Sequence, residues 1–204
     1  RELMKRTAIP ILHQTGLIRR LDRRSAGSSV LALNYHCVDP IVFRSHARLL
    51  ATRAQMVDPA DINHAVSRAE VANRPRVVLT FDDGYANFVH RIHPILEQYG
   101  MQAIWFVPTE FLGSREAYWF DQVGVAIKFA KSRQIQVSDK VWPLHRWGRE
   151  FVASEVTKFM TTLTSDVLEA AVKDLLIQTG LPPTDQLEAR RIATEDEIRS
   201  VDGR

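Results

Sequence analysis

Apolar residues recur along the chain in two rhythms, and each predicts a different element. Short unbroken apolar runs with a β-branched bias predict strands. One lies around Val30–His36, a second is Arg76–Phe81 ("RVVLTF"), and a third is Met101–Pro108 ("MQAIWFVP"). A run that is apolar at nearly every position fits a strand covered on both faces, as in a parallel sheet. Apolar residues three and four apart predict helices over Phe43–Gln55, Asp58–Ala69, His93–Gly100, Tyr118–Lys131, Arg149–Leu163 and Ser165–Gly180. Asp58 is placed as an N-cap, with Pro59 at the first helical position. Gly100 and Gly180 are placed as helix stops. "QIQVSDKVWPL" predicts a hairpin turning at Ser138 and Asp139, and "LPPTDQ" a loop. Thr194 with Glu197 three residues on predicts a capping box ahead of a last helix. Strand, helix and strand follow one another around "HPILEQYG", a βαβ unit that predicts an α/β fold.

The stretch "VVLTFDDGYANF" breaks this regularity. An apolar strand runs directly into Asp82 and Asp83, then Gly84 and Tyr85. On a continuing strand the two carboxylates point to opposite faces. They serve one site only if the strand ends there, and glycine permits such a bend. The carboxyl end of a buried parallel strand is where α/β folds build active sites. Two carboxylates this close call for a compensating cation, and a divalent metal with its bound water meets that need. Spacing alone equally allows the pair to cap the following helix in a surface turn.

Composition narrows the classes without deciding among them. The 204 residues are 45% hydrophobic and 25% charged, those of an ordinary globular chain, with a formal net charge of +3. Much of the basic excess lies in "RELMKRTAIPILHQTGLIRRLDRR", a leader over residues 1–28 that suits peripheral contact with an anionic membrane or simple solvation. No basic stripe interleaved with aromatics indicates nucleic acid, so no such partner is expected. A single cysteine, Cys37, excludes an internal disulfide and a cysteine-rich zinc site. A Cys37–His36 dyad is disfavoured because strand neighbours face opposite sides. The sequence has no apolar run long enough for a transmembrane helix and no signal-peptide pattern, so a cytoplasmic or membrane-peripheral location is the expectation.

"TFDDGY" (Thr80–Tyr85), with apolar "VVL" before it and "PIL...YG.QAIWFV" after it, closely resembles the first motif of the polysaccharide deacetylases, the NodB-homology or carbohydrate esterase family 4 proteins. "LNYHCV" (Leu33–Val38) resembles the strand carrying "YH" in exopolysaccharide members, and "YWFDQV" and "ATEDEIRSV" resemble further segments of that subgroup. The resemblance runs from about Val30 onward. It implies an α/β fold, a distorted (β/α) barrel of the NodB type that is incomplete in this chain, with a helical and hairpin insertion at about residues 114–193. Residues 29–204 are then the N-terminal part of the deacetylase domain.

The resemblance also implies a metal-dependent hydrolase acting on carbon–nitrogen bonds other than peptide bonds. It would remove acetyl groups, N-acetyl before O-acetyl, from a bacterial polysaccharide or a lipid-linked oligosaccharide precursor. Asp82 matches the catalytic base and Asp83 a ligand of a divalent metal, zinc first. His36 is a further catalytic candidate, and Tyr85 and Trp119 are candidates for substrate binding, each set against plain core packing. The family's second motif, His-x-x-x-His, does not occur, and its place falls after residue 204. The expectation is therefore a portion of a longer protein that is inactive alone. The alternative is a non-catalytic carbohydrate-binding or scaffold module that keeps the fold. His90 and His93 are weighed as substitute ligands against a solvent-facing role, and His13, His46, His64 and His145 are expected at the surface.

Overall fold

The computed structural model describes residues 29–67, 74–114, 116–144, 148–180, 182–188 and 190–201. The predicted leader of residues 1–28, with His13, lies outside the described residues, as does His145. The chain forms two compact units: one runs to Gly84 and resumes over Phe88–Val107, the other holds Tyr85–Asn87 and Pro108–Arg204.

The first unit is the α/β part. Its strands are β1 (Val30–Tyr35), β2 (Gln55–Met56), β3 (Arg76–Phe81) and β4 (Ala103–Trp105). Its helices are α1 (Pro40–Arg53), α2 (Ile62–Ser67) and α3 (His93–Gln98). β3 pairs in parallel with β1 along its whole length, from Val30 opposite Arg76 to Tyr35 opposite Phe81. Its other flank is shared by β2 beside Arg76 and Val77 and by β4 beside Leu79 to Phe81. Central placement explains the unbroken apolar run: Val77, Val78, Leu79 and Phe81 are all buried.

β4 is shorter and wetter than the sequence predicts. Its residues are half-buried and Phe106 is 54% exposed, because β4 hydrogen-bonds β3 alone among the described strands. α1 starts earlier than predicted, because Asp39 caps it: its side chain accepts from the Ile41 and Val42 amides at 2.8 and 3.2 Å, with Pro40 in the first turn. Phe43, Ala47 and Leu50 then fall on its buried face. Asp58 caps as expected, accepting from the Ala60 amide at 2.8 Å, but it opens a 3₁₀ turn over Pro59–Asp61 that leads into α2.

Aromatic rings pack the floor beneath the carboxyl end of β3. Phe81 stacks on Tyr35 at 5.2 Å, meets Phe43 at 5.4 Å and Phe88 at 4.9 Å, and Phe88 stacks on Trp105 at 4.5 Å. The residue before Asp82 is thereby fixed from several sides.

The second unit is helical with a hairpin: α4 (Trp119–Phe129), β5 (Gln134–Val137), β6 (Lys140–Pro143), α5 (Arg149–Met160), α6 (Ser165–Thr179), α7 (Thr184–Glu188) and α8 (Glu195–Val201). Val123, Ile127, Ile135, Val156, Met160 and Leu175 form its core. The hairpin turns where predicted, with Ser138 at φ 55°. α7 replaces a predicted loop: in "LPPTDQ" the prolines precede a helix and Asp185 lies in its first turn. The capping box at α8 closes reciprocally, Thr194 N–H donating to Glu197 Oε2 at 2.8 Å and Glu197 N–H to Thr194 Oγ1 at 3.3 Å. Glu197 also receives both Arg191 guanidinium nitrogens, at 2.8 and 2.5 Å, which holds the Arg191 pKa above its ordinary value.

Candidate active site

The acidic pair sits where β3 stops. The ladder with β1 continues one residue past the strand, Asp82 N–H donating to Tyr35 C=O at 2.9 Å, and the backbone then turns left-handed at Asp83 (φ 68°) and Gly84 (φ 61°). The bend thus begins a residue before the glycine expected to make it. Aspartate is among the few side chains that accept this region readily.

The consequence is convergence. Asp82 keeps the strand's orientation and Asp83 is turned out of it, so both carboxylates meet one imidazole. His36 Nε2 lies 4.0 Å from Asp82 Oδ2 and 3.9 Å from Asp83 Oδ2. Both acids are about one-third exposed (31% and 30%), and His36 is 58% exposed, so water reaches all three. Asp82, Asp83 and His36, each singled out from the sequence, therefore form one cluster.

Two residues complete it that the sequence reading passed over. Asn34 Nδ2 donates to Asp82 Oδ2 at 2.7 Å, and Thr80 Oγ1 donates to Asn34 Oδ1 at 3.2 Å. The signal was present in the period of two. Asn34 precedes His36 by two residues, Thr80 precedes Asp82 by two, and Asn34 lies opposite Thr80 in the β1–β3 register. One edge of the polar patch is thus a fixed chain of donors ending on a carboxylate, so one Asp82 oxygen is held and oriented.

Tyr35 points to the other side of β1. Its ring packs on Phe43 and Phe81, its hydroxyl lies 3.2 Å from His46 Nδ1, and burial pushes the phenol pKa up. His46 is therefore half-buried against Tyr35, not at the surface as expected. His93 is likewise not solvent-facing: its side chain is 14% exposed and its Nδ1 lies 3.7 Å from Glu97 Oε2, one helical turn on. His64 and His90 are exposed, and Cys37 is half-buried.

Tyr85 and Trp119 belong to the second unit. Tyr85 is 4% exposed, its hydroxyl donates to Asp121 Oδ2 at 2.7 Å, and its ring meets Tyr118 edge-on at 5.7 Å. Arg190 Nη1 donates to the other Asp121 oxygen at 2.7 Å, so a buried carboxylate is satisfied on both sides. Trp119 is partly buried and borders a groove of about 410 Å³ between α4 and α6, with Gln122, Leu168, Glu169 and Lys173.

Residues 69–150 match the sequence model of the family described as Polysaccharide deacetylase. This stretch, less than half of the chain, is similar to that family. It contains the acidic turn but not His36. No curated protein matches the chain at a significant level. Among solved structures it is similar to the Streptococcus pyogenes deacetylase PplD in complex with acetate, at 22% identity over 43% of this chain and 45% of that one, with a TM-score of 0.36. It is similar to a de-N-acetylase from Aggregatibacter actinomycetemcomitans at 19% identity over 65% and 51% of the two chains, with a TM-score of 0.33. With IcaB from Ammonifex degensii the identity is 16% over 84% and 94%, with a TM-score of 0.39. The chain spans about half the length of the first two of these structures.

The donor set bears on a metal. Asp83 and His36 present an oxygen and a nitrogen to the same space, yet among the described residues no group of three His, Cys, Asp or Glu side chains is arranged to hold an ion. A catalytic zinc takes about three protein ligands. The described residues therefore do not fit a complete metal site by themselves.

Proposed function

We propose that the chain is the acidic-turn portion of a polysaccharide deacetylase, built on a distorted (β/α) barrel of which residues 29–204 form part. The observation that carries this reading is the convergence of Asp82 and Asp83 on His36 at the carboxyl end of a buried parallel strand. The reaction is hydrolysis of an acetyl amide on a sugar. Asp82, oriented by Asn34, takes a proton from a water whose oxygen bonds to the acetyl carbon. The carbon–nitrogen bond then breaks, the proton passes to the leaving amine, and the products are acetate and a free amino sugar. His36, 4.0 and 3.9 Å from the two carboxylates, is beyond direct hydrogen-bond reach and would move that proton through one bridging water.

N-acetyl is favoured over O-acetyl as the target because an amine leaving group needs the proton that this acid–base cluster supplies. In this proposal Asp83 is one ligand of a divalent metal, zinc first, whose remaining ligands lie outside the described residues. Trp119, which borders the groove between α4 and α6, is proposed as a sugar contact, while Tyr85, buried with its hydroxyl on Asp121, acts only in the packing of the second unit. A polysaccharide or a lipid-linked oligosaccharide is the proposed substrate, nucleic acid is not a proposed partner, and peripheral membrane contact is assigned to the basic leader.

The test is acetate release from an N-acetylated oligosaccharide by the full-length protein. Asp82→Asn lowers kcat by about 10²- to 10⁴-fold with the protein still folded, and Asp83→Ala or a chelator abolishes release, with zinc restoring it to the parent only. Release that persists in Asp82→Asn sinks the assigned base. Glycan binding with no release from the parent replaces the enzyme by a binding module.

A further inference from the structure

The second unit carries a groove that the acidic turn does not use. It lies between β6 and α5 and measures about 480 Å³, within the range of small-ligand sites. Lys140, Val141 and Trp142 of β6 line it on one side, and on the other Glu155, Lys158 and Phe159 reach it at the three- and four-residue spacing of one helix face, with Thr162 in the turn just past α5. Its floor is aromatic: Trp142 and Phe159 pack at 5.3 Å with their rings tilted by 46°. The Lys140 ammonium stands 4.0 Å above the centre of the Phe159 ring.

Neither the Lys140 nor the Lys158 ammonium is drawn into an ion pair among the described residues. Two cations, one carboxylate and a half-buried indole thus border one concavity, with a net positive charge. We propose that this groove binds an acidic oligosaccharide. A sugar ring lies on Trp142, its uronate or phosphate group is held by Lys140 and Lys158, and Glu155 accepts from ring hydroxyls. Ammonium-to-carboxylate contacts are charge-assisted and give the sign preference, while the aromatic floor gives contact area. The choice of a glycan rests on the polysaccharide reading above; the sign of its charge rests on the groove alone.

Binding of an oligogalacturonate hexamer and of neutral cellohexaose is measured by calorimetry on the full-length Asp82→Asn protein. The hexauronate binds about tenfold or more tighter than cellohexaose, and its affinity falls as salt is raised to about 0.3 M. The Lys140→Gln/Lys158→Gln pair and Trp142→Ala each weaken it about tenfold, and Trp142→Phe, which keeps the packing on Phe159, weakens it less. If Trp142→Ala does not fold, the lysine pair and Trp142→Phe decide the matter. Equal affinity for the two hexamers, variants that bind like the parent, or tighter binding of single-stranded DNA each overturns the proposal. So does self-association through this face that the variants abolish while hexauronate affinity is absent. Acetate release with no hexauronate binding removes the groove alone, and binding with no release removes only the deacetylase reading.

Discussion

Asp83 and Gly84 occupy the two consecutive left-handed positions at the end of β3, so the placement of the second carboxylate depends on backbone angles. A side chain at φ 61° costs about 1–2 kcal/mol where glycine costs almost nothing. Gly84→Ala is thus expected to lower the melting temperature by several degrees, at about 2–4 °C per kcal/mol for a chain of this size. It also turns Asp83 away from His36, so under the proposed function acetate release falls further than stability does. Asp83→Asn provides the control, because asparagine tolerates the same angle. That variant keeps the parent's melting temperature and loses the charge. Calorimetry on both variants separates the two contributions; an unchanged melting temperature in Gly84→Ala would show that the bend carries no strain for a side chain to feel.

At the scale of elements, what was legible in the sequence was what local chemistry dictates. β3 announced itself because a strand covered on both faces is apolar at most positions, here Val77, Val78, Leu79 and Phe81, and the α8 capping box because two side chains three residues apart satisfy each other's backbone. The edges of elements were less legible. α1 begins with Asp39 and Pro40, outside its apolar stripe, and β4 is cut short where its pairing to β3 ends. α7 is not legible as a helix, because prolines that open a helix look the same in a sequence as prolines that prevent one. Asp82, Asp83 and His36 could be singled out by type and neighbourhood, whereas Asn34 needed the β1–β3 register, which no single segment encodes. Thr194→Ala tests the most local of these devices. Losing an N-cap costs about 1 kcal/mol, so amide exchange in the first turn of α8 rises about fivefold. Unchanged exchange would mean that the Arg191–Glu197 pair fixes the helix start without the threonine.

The molecule as a whole is built on two cores of different make. In the first unit a parallel sheet and an aromatic cluster meet at Phe81, while in the second aliphatic side chains from α4, α5, α6 and the hairpin interlock around Val156 and Met160. Leu79 and Met160 are both fully buried, one in each core. Truncating either to alanine removes comparable apolar volume and is expected to cost about 2–5 kcal/mol. The two losses should differ in where they are felt. Local opening follows the contacts a residue makes. Leu79→Ala therefore raises native-state exchange chiefly in β1 and β3 and, by loosening the strand that ends at Asp82, depresses the proposed acetate release. Met160→Ala raises exchange chiefly in α5 and α6 and leaves the β3 amides close to the parent. Exchange that rises uniformly along the chain in both variants would show a single cooperative core. The acidic turn would then depend for its rigidity on the helical unit as much as on the sheet that carries it.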